Sequence, residues 1–126
     1  MNPKQFLQIG GAVLVLVGIL GFVGVIGPTA DQSLFGPFWW FDNAENWAHL
    51  VLGIVALAAS FVLGAGTQKP LVMLVGAVAV IVAIWGLVNP MLLGANLENP
   101  ADTVLHLVVG AWALFSSMRR EEGMMM

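Results

Sequence analysis

An all-α fold, a four-helix transmembrane bundle made of two parallel hairpin repeats with both termini cytoplasmic, is what this sequence predicts. Three observations predict it. The chain is 60% hydrophobic and 9% charged, with a mean hydropathy of +0.94, which leaves too little polar surface to cover a water-soluble globule of this size. Windows of about 20 mainly apolar residues, the length that crosses ~30 Å of hydrocarbon, recur along nearly the whole chain. Finally, an acid followed by three residues and then His-Leu-Val-x-Gly occurs at Glu45 to Gly53 and again at Asp102 to Gly110, and these copies contain both histidines of the sequence. One transmembrane domain over residues 1–126 is expected.

The helices are predicted at approximately 6–27, 43–63, 70–89 and 100–118. Gly27-Pro28 stops the first and Asn89-Pro90 the third, because a residue before proline is pushed away from helical torsions. The second opens with Asp42 as N-cap and Glu45 in the third helical position, and Gly64 and Gly66 close it. The fourth repeats that grammar, with Asn99 as cap, Pro100 first and Asp102 third. The apolar run after Lys4 is too long, and Pro28-Thr29-Ala30 too poor a cleavage site, for a signal peptide, so it is read as a retained first helix. Lys4, Lys69, Arg119 and Arg120 fall on one side of a four-crossing chain and Asp31, Asp42, Glu45, Glu98 and Asp102 on the other. Basic residues mark the cytoplasmic side, so both termini are expected to be cytoplasmic.

Laying His49 on His106 also matches Gly53 with Gly110, Ala56 with Ala113 and Ser60 with Ser117. Gly24 and Gly86 stand at equal distances before their proline stops, so the repeat covers helix pairs. Two units that each cross twice share one orientation, and their pseudo-twofold axis runs along the membrane normal. At about 100° per residue, Glu45, His49, Gly53, Ala56 and Ser60 fall within an arc of roughly 80°, as do their counterparts. Such a small, polar stripe faces protein in a bilayer, where small residues let helices approach closely. Gly18, Gly21, Gly24, Gly53, Ser60, Gly86, Gly110 and Ser117 are therefore the expected helix-packing positions.

The chemistry is narrowed mostly by exclusion. Without cysteine there are no disulfides, thiolate sites or thiol nucleophiles, and four dispersed basic residues make no nucleic-acid footprint. No serine has a histidine beside it in the same cluster, which leaves hydrolysis unsupported. Each histidine follows an acid by four residues, so the carboxylate lies one turn away on the same face and is expected to fix the ring's tautomer. A self-satisfied acid–histidine pair pinning helix two to helix four is the first reading. The alternatives are a haem b held between His49 and His106, and a metal held by Glu45, His49, Asp102 and His106. A proton or ion path comes next, with only Ser60 and Ser117 continuing it deeper. The loop after helix one carries Phe35, Phe38, Trp39, Trp40 and Phe41 without a lysine or arginine. It reads as an aromatic belt and as a surface for another membrane protein.

The segments Leu16-Val17-Gly18-Ile19-Leu20-Gly21-Phe22, Asn46-x-x-His49-Leu50-x-x-Gly53 and Asp102-x-x-x-His106-Leu107-x-x-Gly110 resemble a family of small four-helix bacterial integral membrane proteins of unknown function. In that family an NxxHLxxG-type motif marks helices two and four; here Thr103 stands at the second asparagine position. The resemblance spans nearly the whole chain and implies fold and topology. The expected function is a non-enzymatic scaffold, accessory or self-assembling subunit of a membrane complex. Its partners are the lipid bilayer and other membrane subunits or further copies of itself, and no cofactor is expected. The alternative is a haem- or metal-binding redox module, and the third reading a small channel or carrier.

Overall fold

A computed structural model describes residues 1–89, 91–92, 94–98 and 100–118. Asn99, Pro90, Arg119 and Arg120, on which the expected fourth cap, third stop and part of the charge asymmetry rest, lie outside the described residues. Four helices form, α1 (Pro3–Phe22), α2 (Asn43–Val62), α3 (Ala65–Val88) and α4 (Ala101–Ser117). A two-residue antiparallel pair, β1 (Met91–Leu92) with β2 (Ala95–Asn96), precedes α4, and Gly94 turns it at φ +85°. Helices α1, α2 and α3 are long and apolar enough to cross a membrane. At 17 residues, α4 rises about 26 Å and stands at the short end of that range.

The helix ends differ from the sequence expectation for identifiable reasons. At the start of α1, the Asn2 side chain accepts from Gln5 N and the Gln5 side chain accepts from Asn2 N, with Pro3 as first helical residue. That reciprocal cap opens the helix before Phe6. It ends at Phe22, short of Gly27, because Gly24 adopts φ +88°. Val25 N–H then reaches back to Leu20 O at 3.2 Å, a left-handed glycine closure. Gly24 is accordingly a terminator: a Cβ on it would touch nothing within 4 Å, so it takes no part in the expected packing ridge. Pro70 does not start α3; it sits inside a helix that begins at Ala65 behind the Gly64 cap. The turn between α2 and α3 is held by Gln68, whose amide donates to Leu63 O at 2.8 Å and Ser60 O at 3.2 Å. This side chain satisfies carbonyls that the end of α2 leaves without helical partners.

Helix α1 packs mainly on α2 and α3 mainly on α4. Gly53 shows how close the first contact is: a Cβ there would lie 2.7 Å from both Gly11 O and Val15 N. Gly18 stands against Asn46 and Leu50, Gly21 against the Asn46 amide, Gly86 against Thr103, and Gly110 against Val80 and Gly76. Ser60 and Ser117 are buried, and each hydroxyl donates to the carbonyl three residues back, Leu57 O at 2.6 Å and Leu114 O at 2.7 Å. Outside these seams the helices present Ile9, Val13, Leu16, Val51, Ile54, Val78, Ile81, Val104 and Val108 outward, as a lipid-contacting surface requires. A small apolar core of Phe6, Leu7, Ala59, Val72 and Ala113 fills one end. The opposite end is polar inside.

Candidate functional site: a carboxylate cluster with two imidazoles

The polar end is assembled by the N-termini of α2 and α4, the loop over residues 23–42, and the β1–β2 turn. On α2, Asp42 Oδ1 accepts from Glu45 N at 2.9 Å and Glu45 Oε1 accepts from Asp42 N at 3.3 Å. This is the predicted capping box, and it aims the buried Glu45 carboxylate at the helix start. On α4, Asp102 Oδ2 accepts from Glu98 N at 2.9 Å while Asp102 N donates to Glu98 O at 2.7 Å. Glu98, two residues before Pro100, is thereby drawn inward. The result is that Glu45, Glu98 and Asp102 each bring a carboxylate oxygen to within 4.8 Å of the others.

Two of these acids, Glu98 and Asp102, and the cap residue Asp42 also receive donors from Trp39, Trp40 and Asn96. Trp39 Nε1 donates to Asp102 Oδ1 at 3.0 Å, and Trp40 N donates to Glu98 Oε1 at 3.1 Å. Asn96 N donates to Asp42 Oδ2 at 2.8 Å, and the Asn96 amide donates to Glu98 Oε2. Every one of these except the last joins the α1–α2 half to the α3–α4 half. Carboxylates bonded to N–H groups make charge-assisted contacts, stronger than neutral ones. The mutual repulsion that remains among three oxygens this close is relieved by a proton or a cation.

Neither imidazole is held by its preceding carboxylate as the sequence suggested. His49 Nδ1 lies 2.7 Å from Glu45 O, and His106 Nδ1 lies 2.7 Å from Asp102 O. A carbonyl oxygen only accepts, so Nδ1 carries the proton, and in the neutral ring the lone pair is left on Nε2. The reason is competition: the carboxylates are committed to the helix caps, and the carbonyl four residues back is the next acceptor on the same face. Of the side chains expected to hold a metal, Glu45, His49, Asp102 and His106, the two acids converge, and the third member of their group is Glu98 and neither ring. His49 is stacked on Phe41 with ring centroids 5.0 Å apart and 16° between planes.

The aromatic loop divides in two. Leu34, Phe35 and Phe38 point outward, at 80%, 52% and 62% exposure. Phe41 is buried and Trp39 packs edge-on against it at 5.1 Å. Of the residues expected to form an outward surface, Phe35, Phe38, Trp39, Trp40 and Phe41, the last is thus withdrawn into the fold, and Trp39 and Trp40 are half-buried. The loop is tied down by Phe41 N to Ile26 O at 2.7 Å, Leu34 N to Val25 O at 2.8 Å and Ser33 Oγ to Trp39 O at 2.7 Å.

Glu98 was not anticipated from the sequence. Aligning the two halves on their histidines sets Glu98 opposite Phe41, so the repeat carries no signal for it; the tie from Asp102 four residues later is the only local hint. Asn46 and Thr103, three residues before each histidine, occupy equivalent places. Asn46 Oδ1 and Thr103 Oγ1 are buried without a hydrogen-bond partner among the described residues, turned toward Gly21 and Gly86.

Burial of the Glu98 carboxyl, reinforced by the Asp102 charge and opposed by the Trp40 N–H, lifts it from the ordinary value of 4.5 to about 7. A carboxyl raised in the folded state holds a proton that the unfolded chain releases. Stability is therefore expected to fall as pH climbs from about 4.5 and to level off above about 7. Glu98→Gln, which keeps an acceptor for Trp40 N, should make that decline shallower in detergent unfolding curves. An unchanged slope would show that Glu98 takes no part in it. No protein-family model, curated protein or solved structure matches this chain.

Proposed function

We propose that this chain is a small integral membrane protein of two like-oriented hairpin repeats, α1–α2 and α3–α4, akin to the four-helix bacterial membrane proteins it resembles. On this reading all four helices cross the bacterial inner membrane, both termini are cytoplasmic, and the protein serves as a non-enzymatic accessory or self-assembling subunit of a membrane complex. One observation carries it. Asp102, Glu98 and Asp42 at the polar end are engaged by Trp39, Trp40 and Asn96, respectively, in bonds that tie one half of the bundle to the other. Groups committed in this way fix a scaffold, while the exposed Leu34, Phe35 and Phe38 remain for contact outside it. Equal 2.7 Å histidine–carbonyl contacts in α2 and α4, with Lys4 and Lys69 at the opposite end, support the duplicated topology and its orientation.

A second reading has its own support. Three converging carboxylates suit a hard cation that takes oxygen ligands, such as Mg²⁺, Ca²⁺ or Mn²⁺, better than they suit zinc. The open Nε2 positions of His49 and His106 are what a haem iron would take. Native mass spectrometry of the protein purified in mild detergent separates these readings. The subunit reading expects an oligomer or a co-purifying membrane protein, with no added mass from metal or haem. A lone monomer with no partner sinks it, and a stoichiometric metal lost in Glu98→Gln, or a Soret band lost in His106→Ala, establishes the alternative.

A further inference from the structure

The end of the bundle opposite the carboxylates contains an apolar cavity of about 180 Å³ lined by all four helices, with Gly10, Ala56 and Trp112 among its walls. Its volume compares with that of an engineered apolar cavity of ~150 Å³ that stays dry and admits benzene. The walls offer nothing for water. The one polar side-chain group among the lining residues, the Trp112 indole N–H, is turned to Met1 Sδ at 3.0 Å. Val13, Leu52 and Val55 line the cavity and are themselves about half exposed, at 48%, 57% and 55%. The space therefore opens sideways onto the apolar outer surface of α1 and α2, where acyl chains lie in a bilayer.

Charge distinguishes one class of lipid. Lys4 stands in the first turn of α1, one turn before the cavity residue Leu7, and Lys69 precedes the cavity residue Leu71 by two positions on α3. Both are exposed. Every carboxylate among the described residues belongs to the opposite end of the bundle, so among those residues no acid stands beside these two ammonium groups. We propose that the cavity is a binding site for an anionic phospholipid, one acyl chain entering past Val13, Leu52 and Val55 beside the α1–α2 seam and the headgroup held by Lys4 and Lys69. Lysine at this depth reaches a headgroup by snorkelling, and a phosphate-bearing headgroup next to a lysine pair is favoured over a zwitterionic one.

Retention of lipid by the full chain tests this. Protein exchanged into mixed micelles containing equimolar dioleoyl phosphatidylglycerol and dioleoyl phosphatidylcholine is examined by native mass spectrometry. The expected result is roughly tenfold preferential retention of phosphatidylglycerol, falling to near parity when Lys4→Gln and Lys69→Gln are combined. Gly10→Leu fills the cavity from a position where a Cβ makes only ordinary contacts, 3.8 Å from Phe6 and 3.9 Å from Trp112, and should abolish retention while helicity is kept. Equal retention of the two lipids by the parent protein overturns the proposal. So does a preference that survives the loss of both lysines, a folded Gly10→Leu protein that holds as much lipid, or a dimer that sheds lipid because a second copy fills the space. Should Gly10→Leu fail to fold, the first two comparisons decide. A lipid-binding monomer would support this site while defeating the subunit reading, so the two stand or fall separately.

Discussion

Gly53→Ala is expected to destabilise the bundle by about 2 kcal/mol, whereas Gly10→Ala, on the same pair of helices, is expected to be neutral or slightly stabilising. The two replacements gain the same helix propensity, up to ~1 kcal/mol, so the difference between them reports packing alone. At Gly10 the added methyl meets the Phe6 and Trp112 rings at ordinary contact distance. At Gly53 it meets Gly11 O and Val15 N, both at 2.7 Å. Those are backbone atoms of α1, and neither retreats by rotating a side chain; α1 and α2 must separate along the seam that accounts for most of their contact. Gly110→Ala falls between, since its tightest approach is to a side-chain methyl of Val80 at 2.7 Å, with Gly76 O at 3.1 Å. Unfolding of the purified proteins in mixed micelles by increasing SDS fraction checks the order. Equal stability for Gly53→Ala and Gly10→Ala would mean that the two backbones do not touch at Gly53.

That order was partly legible in the sequence. Helical periodicity places Gly53 and Gly110 each on one face with the polar residues of its own helix, and a bilayer leaves such a face no destination other than protein. Boundaries were less legible, because they depend on which of several competing punctuation residues acts. Gly24 ends α1 before Gly27-Pro28 is reached, the Asn2–Gln5 cap starts it early, and Pro70 is carried inside α3 because Gln68 closes the turn to α2. The polar end was legible in its membership but not in its bonds. Glu45, Asp102, His49 and His106 were all identified. Yet the acids serve caps and the other half of the bundle, and the imidazoles fall back on backbone carbonyls. Glu98 and the inward turn of Trp39 arise from long-range closure of the loop, for which neither period nor repeat leaves a trace.

Asp102→Ala is expected to cost about 2–4 kcal/mol, because it withdraws the acceptor of two N–H groups, Trp39 Nε1 and Glu98 N, and each orphaned donor costs ~1–3 kcal/mol. Asp102→Asn, by contrast, should cost under about 1 kcal/mol. Its remaining carbonyl oxygen keeps one donor, and removing a negative charge from beside Glu45 and Glu98 offsets part of the loss of the other. The Trp39 contact is isolated by a cycle. Trp39→Phe alone removes one donor and should cost roughly 1 kcal/mol, but added to Asp102→Ala it should cost nothing further, since the bond it breaks is already gone. The same SDS unfolding measurement reads all four proteins. Additive losses would mean that Trp39 stabilises the bundle through its aromatic neighbours Phe35 and Phe41 and not through Asp102. A cost for Asp102→Asn as large as that for Asp102→Ala would show instead that the charge itself is required at this position, the result a cation bound among the three carboxylates predicts.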